Sequence, residues 1–402
     1  MRNGRRAVSL VMLLWGVVLV PAGAWAQSAT NGAIAGGVKD TTGAALFRQQ
    51  PQEIPFDSNV TFLKMPPGQF FGEGAGVAVN SRGHVFVYTR NGSSGGHIIA
   101  PQAATLYEFG PDGSFVRKVQ DLYSMAWAHA VRVDKDDNVW LVDNGSDMVV
   151  KLTPDLSRVL MTLGRRRESV AQTDVRAPVP PTTPPARDNT FNEPTDVAWD
   201  PQGNIFVSDG YKNMSVAKFN KDGNWVKRIG KGNMAEQGSG PGEFWNPHSI
   251  VADAKGNIYV ADRANVRIQV FDSDLKFQRE IKINVPPPPG SQSPFPARTQ
   301  VGVADTIAER VFTPGAPWAL CITPGPNQVL YAADAYPGRV YKIGLDGKVL
   351  GYFGIAGKLP KQFNQIHAMA CRTENDLYVA ELPAWRVQKL TLKPSGRTSS
   401  PQ

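Results

Sequence analysis

The chain of 402 residues carries 43 Lys and Arg against 35 Asp and Glu, which gives a formal net charge of +8 at pH 7. No run of five or more basic residues occurs, so the charge allows a weak preference for acidic ligands but gives no indication of nucleic-acid binding. The length by itself would fit one to three domains.

The N-terminus has the three parts of an export signal. Basic residues lie within 1–6, the stretch 7–20 is apolar, and residues 24–26 (Ala-Trp-Ala) form a small-x-small cleavage site. A membrane anchor is the alternative, but the apolar stretch is short for a bilayer span and no other segment is apolar enough. We therefore predict a signal peptide over 1–26, whose removal lowers the net charge to +5, and a periplasmic or secreted protein with no stable membrane insertion.

Six related units follow, and each reads as a strand, a turn rich in Asp, Asn, Gly or Pro, and a second strand. They span residues 74–90, 128–144, 193–210, 246–263, 316–334 and 365–381. Further hairpin-like stretches follow most of them, at 106–119, 216–230, 268–281 and 340–354. One unit is thus four antiparallel strands, which is the pattern of a propeller blade.

We therefore predict an all-β fold, a six-bladed β-propeller over residues 53–392. A flexible segment at 27–52 would precede it, and a disordered tail at 393–402 would follow. Residues 57–65 are strand-like and would supply the missing fourth strand of the last blade. A stacked β-solenoid is the all-β alternative, but its repeats are usually shorter. No helix pattern is evident after the signal peptide.

In an antiparallel blade the first strand begins on the face where the second strand ends. The starts of the first strands and the ends of the second strands of all six units therefore lie at the same opening of the central channel, here called the mouth. Long insertions reach the same face at 91–103, 165–190, 231–243 and 282–314, and such loops are often lids or binding loops. Cys321 and Cys371 lie in the first strands of the last two units. Their positions allow either a disulfide or two buried thiols.

Three histidines stand at one position of the repeat, at the start of the first strand in alternate units. They are His129, His248 and His367, at intervals of 119 residues. Around a six-fold ring these positions lie about 120° apart, so three imidazoles would converge on the channel as a tripod suited to Zn²⁺ with one open position. Three unrelated polar residues in a wet channel are the alternative. We interpret His84, in a turn, and His97, in a loop, as ordinary surface residues.

Other polar residues fall at the ends of the second strands. Asp143, Asp209, Asp262 and Asp334 recur from unit to unit, which favours a structural role in capping turns. Arg90 and Tyr211 break that pattern. An Arg at the mouth can bind a carboxylate bidentately, and a Tyr beside a metal and an Arg can act as a base.

The units resemble NHL repeats, and the array from about residue 70 to 392 resembles the peptidyl-α-hydroxyglycine α-amidating lyases. The most specific stretches are FNEPTDVAWDPQGNIFVSDGY (191–211) and PGEFWNPHSIVADAKGNIYVADRANVRIQVF (241–271). The resemblance implies a six-bladed propeller that binds Zn²⁺ through the three histidines. It also implies catalytic roles for Arg90 and Tyr211, and an active-site role for Arg263.

The same resemblance implies a structural Ca²⁺ in the channel, held by the main-chain carbonyls of Val77 and Val131 and by an Asp directly after the third histidine. Ala368 stands in place of that Asp and cannot ligate calcium, so the site is either lost or rebuilt from another group. The family's cysteines are also not matched, since Asn192 and Lys212 stand where one pair would be.

The resulting hypothesis is a zinc lyase that cleaves an N-acyl- or peptidyl-α-hydroxyglycine into an amide and glyoxylate. A separate hydroxylating enzyme would supply the substrate, and we expect the protein to act as a monomer. The alternatives are a non-catalytic NHL propeller that binds a protein or peptide, and another metal-dependent propeller enzyme. A lactonase-type site is disfavoured because such sites are usually built from Glu, Asp and Asn.

Overall fold

The six predicted units occupy six separate sheets, arranged around a central channel as the blades of a β-propeller. The computed structural model describes residues 51–91, 104–119, 126–165, 187–233, 237–291 and 307–393. The predicted signal peptide lies outside these residues, as do His97, all but residues 51 and 52 of the predicted N-terminal segment, and all but residue 393 of the predicted tail. Large parts of the long insertions lie outside them as well. The prediction of an all-β propeller is confirmed.

The blades follow one another along the chain. Two short strands come first, β1 (Gln52–Glu53) and β2 (Phe56–Asn59). Blade 1 contains β3 (Glu73–Val79), β4 (Val85–Arg90), β5 (Ala104–Phe109) and β6 (Phe115–Val119). Blade 2 contains β7 (Ala128–Val133), β8 (Val139–Asp143), β9 (Met148–Leu152) and β10 (Val159–Gly164). Blade 3 contains β11 (Asp196–Trp199), β12 (Ile205–Asp209), β13 (Ser215–Phe219) and β14 (Trp225–Gly230).

The second half continues in the same way. Blade 4 contains β15 (Pro247–Ala252), β16 (Ile258–Asp262), β17 (Arg267–Phe271) and β18 (Phe277–Ile281). Blade 5 contains β19 (Ala319–Ile322), β20 (Val329–Ala333), β21 (Val340–Gly344) and β22 (Val349–Phe353). A small parallel pair, β23 (Ile355–Ala356) and β24 (Gln362–Phe363), leads to blade 6. Blade 6 contains β25 (Ile366–Cys371), β26 (Asp376–Glu381) and β27 (Arg386–Leu392).

The N-terminal strands close the ring. Strand β2 pairs antiparallel with β27 and is the fourth strand of blade 6, as the sequence predicts, although it spans Phe56–Asn59 and not the whole of 57–65. Strand β1 pairs parallel with β22 and adds an unpredicted fifth strand to blade 5. The propeller therefore begins slightly before residue 53, and its N-terminal stretch joins two neighbouring blades.

The strands are built from apolar residues whose side chains pack between neighbouring blades. One cluster joins Trp140 and Val142 of blade 2 to Val197 and Val207 of blade 3. The tight turns are fixed by short polar residues. In blade 4 the carboxylate of Asp253 accepts hydrogen bonds from the backbone N–H groups two and four residues further on. The innermost strands β3, β7, β11, β15, β19 and β25 contact one another around the channel.

Two short helical turns interrupt the β-structure. Helix α1 (Ile307–Val311) lies in the insertion between blades 4 and 5, and a 3₁₀ turn over Arg263–Asn265 follows β16. The expectation that the mature chain has no helix is therefore wrong in detail, because a helix of five residues is too short to show a periodic pattern. Within the described residues, the helices fall short of the length and hydropathy that a bilayer span requires.

Cys321 and Cys371 form a disulfide, with their Cα atoms 6.0 Å apart. The sequence left a disulfide and two thiols as equal alternatives. The bond joins the innermost strands of blades 5 and 6, the same two blades that receive β1 and β2. The N-terminal strands and the disulfide thus stabilise the same part of the ring.

Reducing this disulfide is expected to destabilise the protein. The bond closes a loop with a sequence separation of 50 residues, for which loop-closure entropy predicts a loss of about 4 kcal/mol. Denaturant unfolding with and without a reductant measures the effect. A Cys321→Ser/Cys371→Ser variant is the control, since its midpoint should not respond to reductant. Coincident midpoints for the oxidised and reduced forms of the unaltered protein would contradict the prediction.

Candidate metal centre

The three histidines occupy the same place in the innermost strands of blades 2, 4 and 6. His129 is the second residue of β7, His248 of β15 and His367 of β25. Each strand carries a register shift at its histidine, so the local pairing with the second strand of the blade is interrupted there. Such β-bulges redirect a side chain out of the regular alternation of the sheet. The bulges therefore help to aim the imidazoles into the channel.

Each imidazole is oriented by the next blade. The Nδ1–H group of His129 donates to the carbonyl of Thr195 at 2.5 Å, that of His248 to Trp318 at 2.6 Å, and that of His367 to Ala75 at 2.6 Å. A carbonyl only accepts, so Nδ1 carries the proton and Nε2 presents a lone pair. The three acceptors stand at the histidine position of blades 3, 5 and 1. All six blades thus build the tripod.

The ligand nitrogens of the three histidines lie within 4.8 Å of one another. The side chains are buried, and burial, with help from neighbouring positive groups, lowers the pKa of all three imidazoles well below the usual 6.5. They are therefore neutral at pH 7, which is the form that ligates metals. The Nε2 atom of His367 has no hydrogen-bond partner among the described residues, although it is buried. This donor set fits a metal ion, as the sequence predicts.

Tyr211 lies directly against the tripod. It follows Gly210 at the end of the second strand of blade 3, and its hydroxyl is 3.3 Å from Nε2 of His129 and 3.3 Å from Nε2 of His248. Its ring contacts the imidazoles edge-on. The phenol oxygen therefore lies beside the nitrogens that would hold a metal, which places it within reach of any group bound there.

Arg90 ends the second strand of blade 1 and is buried. Its Nε–H donates to the carbonyl of Ala128, the residue before the first histidine, at 2.7 Å. The guanidinium lies over the ring of Trp127, 4.8 Å from its centroid, and its Nη1 is 3.6 Å from a carboxylate oxygen of Glu73. These contacts fix the guanidinium beside the tripod.

Arg263 approaches from blade 4 and is equally buried. Its Nε–H donates to the side-chain oxygen of Asn246 at 2.7 Å, and its guanidinium lies 4.1 Å from the ring centroid of Trp318 and 5.7 Å from that of Tyr211. Its Nη1 has no hydrogen-bond partner within the part of the chain that the structure describes. A buried guanidinium with an unused donor is suited to bind an anion.

The recurring aspartates are structural, as the sequence predicts. Each accepts a hydrogen bond from a backbone N–H close before the histidine position of its own blade. The pairs are Asp143 with Ala126 and Trp127, Asp209 with Asn192, Asp262 with Trp245, and Asp334 with Gly315. Glu381 does the same for Asn364 in blade 6. In blade 1 the strand register puts Thr89 at this place, and Arg90 follows it as Arg263 follows Asp262 in blade 4.

The structure thus brings together the six residues predicted from the sequence, His129, His248, His367, Arg90, Tyr211 and Arg263. His84 lies elsewhere and contacts Glu108 at 2.8 Å. Val77 and Val131 are buried on β3 and β7. The sequence reading missed Glu73, Trp127 and Asn246, which hold the two arginines. All three stand two residues before the histidine position of their blades, but their residue types differ from blade to blade, so the repeat gave no common signal for them.

Comparisons with known proteins support the propeller fold and a similarity to amidating lyases. A family model described as a 6-bladed beta-propeller (DUF5128) matches residues 187–292. A probable peptidyl-alpha-hydroxyglycine alpha-amidating lyase from Caenorhabditis elegans is 28% identical over 294 residues, which cover 65% of this chain and 73% of that protein. Peptidyl-glycine alpha-amidating monooxygenase A from Xenopus laevis is 27% identical over 321 residues, 78% of this chain but 29% of that protein.

Two further matches concern the repeat and the fold. Human NHL repeat-containing protein 3 is 30% identical over 177 residues, which cover 41% of this chain and 44% of that protein. A solved streptogramin B lyase structure superposes with a TM-score of 0.51 at 11% identity and covers 84% of this chain and 98% of its own, which supports the fold alone. The resemblance to NHL-repeat proteins and to amidating lyases is confirmed by these similarities.

Proposed function

We propose that this relative of the peptidyl-α-hydroxyglycine α-amidating lyases is itself a zinc-dependent lyase, which cleaves the N–Cα bond of an N-acyl- or peptidyl-α-hydroxyglycine to an amide and glyoxylate. The observation that carries the proposal is the group of three buried, neutral imidazoles with Tyr211 and two guanidiniums around it. The similarity to proteins named as amidating lyases supports it.

The choice of zinc rests on the donor set. Imidazole nitrogen suits zinc, copper, iron and nickel, whereas calcium and magnesium prefer oxygen. Three protein ligands with one open position are typical of catalytic zinc. The Nε2 atoms of His129, His248 and His367 would hold the ion, which when bound supplies Lewis-acid chemistry toward the substrate hydroxyl.

Tyr211 acts as the base. Its hydroxyl lies beside two of the three Nε2 atoms, so as a tyrosinate it can take the proton of a substrate hydroxyl placed at the tripod. The electrons of that O–H bond form the carbonyl of glyoxylate while the C–N bond breaks. The leaving amide nitrogen then receives the proton from Tyr211. Atoms balance without water and without a covalent intermediate.

The two arginines compensate the negative charges of this reaction. Arg263 binds the substrate carboxylate through Nη1, which has no hydrogen-bond partner among the residues that the structure describes. Arg90 stabilises the anionic form of Tyr211 that accepts the proton, and its own position is fixed by Ala128, Trp127 and Glu73. Neither residue needs to move a proton for this role.

The setting of the reaction is part of the proposal. The protein acts as a monomer after export and removal of residues 1–26, and a separate hydroxylating enzyme supplies the α-hydroxyglycine. The acyl or peptidyl part of the substrate extends from the channel mouth toward solvent. Nucleic acid has no role in this function.

Glyoxylate release from a simple N-acyl-α-hydroxyglycine tests the proposal directly. The mature protein should release glyoxylate and the matching amide in equal amounts, lose this activity with a chelator, and regain it with zinc. Absence of release from a protein that contains zinc would refute the lyase and favour another reaction at the same metal centre. Absence of both release and bound metal would favour a non-catalytic binding propeller.

A further inference from the structure

A second charged group lies in the channel, on the same innermost strand as His129. Arg132 is three residues further along β7, and its guanidinium pairs bidentately with the carboxylate of Asp196 on β11, with 2.8 Å between Nε and Oδ1. Its side chain is only 15% exposed. A bidentate pair of this kind combines Coulomb attraction with fixed geometry.

The guanidinium also bonds to the other inner strands. It donates to the hydroxyl of Ser249 on β15 at 3.2 Å, to the carbonyl of Leu320 on β19 at 3.3 Å and to the carbonyl of Met369 on β25 at 3.3 Å. The innermost strands of blades 2 to 6 therefore meet at one side chain. No other single residue among those described makes hydrogen bonds to four other inner strands.

Asp196 completes the network. Its carboxylate is 2% exposed and accepts hydrogen bonds from Ser249 Oγ at 2.8 Å and from the backbone N–H of Ile250 at 3.1 Å. The pair is thus charge-balanced, and its oxygens are satisfied by donors from the protein. Burial of an ion pair is tolerated when hydrogen bonds also satisfy the remaining polar atoms of the two side chains.

The calcium ion that the family resemblance implies does not fit this channel. Calcium takes six to eight oxygen ligands and usually several carboxylates. Ala368, which stands where the implied carboxylate ligand would be, has no side-chain oxygen, and Arg132 directly follows Val131, one of the two implied carbonyl ligands. The guanidinium of Arg132 donates hydrogen bonds to the carbonyls of Leu320 and Met369 and to the carboxylate of Asp196. Its positive charge would repel a divalent cation in the channel.

We propose that the Arg132–Asp196 pair replaces a channel metal, so that the guanidinium is the internal cation that joins the inner strands and the protein needs no calcium. The inference goes beyond the lyase proposal and does not depend on it. The protein would then have one metal site, the histidine tripod, and its folding would be independent of the calcium concentration.

Calcium binding to the unaltered protein is the first test. The protein is freed of calcium on a cation-exchange resin, and its metal content and melting temperature are measured with and without millimolar calcium. We expect far less than one calcium ion per chain and no shift of the melting temperature. One bound calcium per chain, or a calcium-dependent rise of the melting temperature, would overturn the proposal.

Variants test the role of the guanidinium. Arg132→Met keeps most of the side-chain volume but leaves Asp196 buried and unpaired, so the melting temperature should fall by about 5–10 °C. Arg132→Met/Asp196→Asn should recover part of that loss, because the unpaired charge is gone. Arg117→Met is the matched control. Arg117 lies on the outer strand β6, its side chain is 38% exposed, and it pairs with Glu108.

A gain-of-binding variant completes the design. Arg132→Met/Ala368→Asp removes the guanidinium and restores a carboxylate after the third histidine, and calcium should now raise its melting temperature. If Arg132→Met behaved like Arg117→Met, the guanidinium would have no special role in the channel. If Arg132→Met failed to fold, calcium binding to the unaltered protein would still decide whether the metal has been replaced.

Discussion

Replacing His367 with alanine is expected to abolish metal binding and glyoxylate release. Its Nε2 is buried and has no hydrogen-bond partner among the described residues, which is the arrangement expected of a metal ligand. Loss of a group that merely orients a metal ligand costs about 10–100-fold in affinity, so loss of a ligand should exceed 100-fold. Metal content after dialysis and glyoxylate release measure the two effects.

The control is His84→Ala. This histidine contacts Glu108 at 2.8 Å and takes no part in the tripod, so its removal should leave metal content and turnover unchanged. Both variants should keep a folded propeller, which circular dichroism can verify. Full metal occupancy in His367→Ala would show that the three histidines are not the ligands.

Replacing Tyr211 with phenylalanine is expected to reduce turnover by about 10²–10⁴-fold, the usual contribution of a positioned general base. The ring contacts with His129 and His248 would remain, so metal content should stay near that of the unaltered protein. The combination of lost turnover with retained metal separates a base from a metal ligand. Steady-state glyoxylate release and elemental analysis of the same preparation provide both values.

Tyr107→Phe is the matched control. Tyr107 is a buried tyrosine of blade 1 whose hydroxyl donates a long hydrogen bond of 3.5 Å to the carbonyl of Phe70. Its loss should change turnover little. Full activity of Tyr211→Phe would remove the base from the proposed mechanism and leave the tripod unaffected.

The repeat explains why so much could be predicted from the sequence. Positions that recur at the same place in each unit lie at the same place in each blade, so the spacing of the three histidines translates directly into a common site. The breaks in the pattern at Arg90 and Tyr211 were informative for the same reason. Here the sequence periodicity and the spatial symmetry carry the same information.

The remaining features depend on groups that the periodicity does not mark. The orientation of each imidazole comes from a backbone carbonyl, which any residue provides, so Thr195, Trp318 and Ala75 could not be identified as partners. Arg132 has no counterpart in the other units, and its hydrogen bonds can form only because five inner strands meet at one point. Strand β1 has two residues, and its parallel pairing is decided by the edge of blade 5 and not by its own sequence.

Because each histidine is hydrogen-bonded to the following blade, the three-histidine centre can form only after the ring of blades has closed. Blade 6 carries His367, and its sheet is completed by residues near the start of the propeller, whereas its other strands come near the end. A partly synthesised or partly unfolded chain therefore has no complete ligand set. For the proposed metal centre, uptake of the ion is then a late event in biogenesis, and its occupancy reports that the two ends of the ring have met.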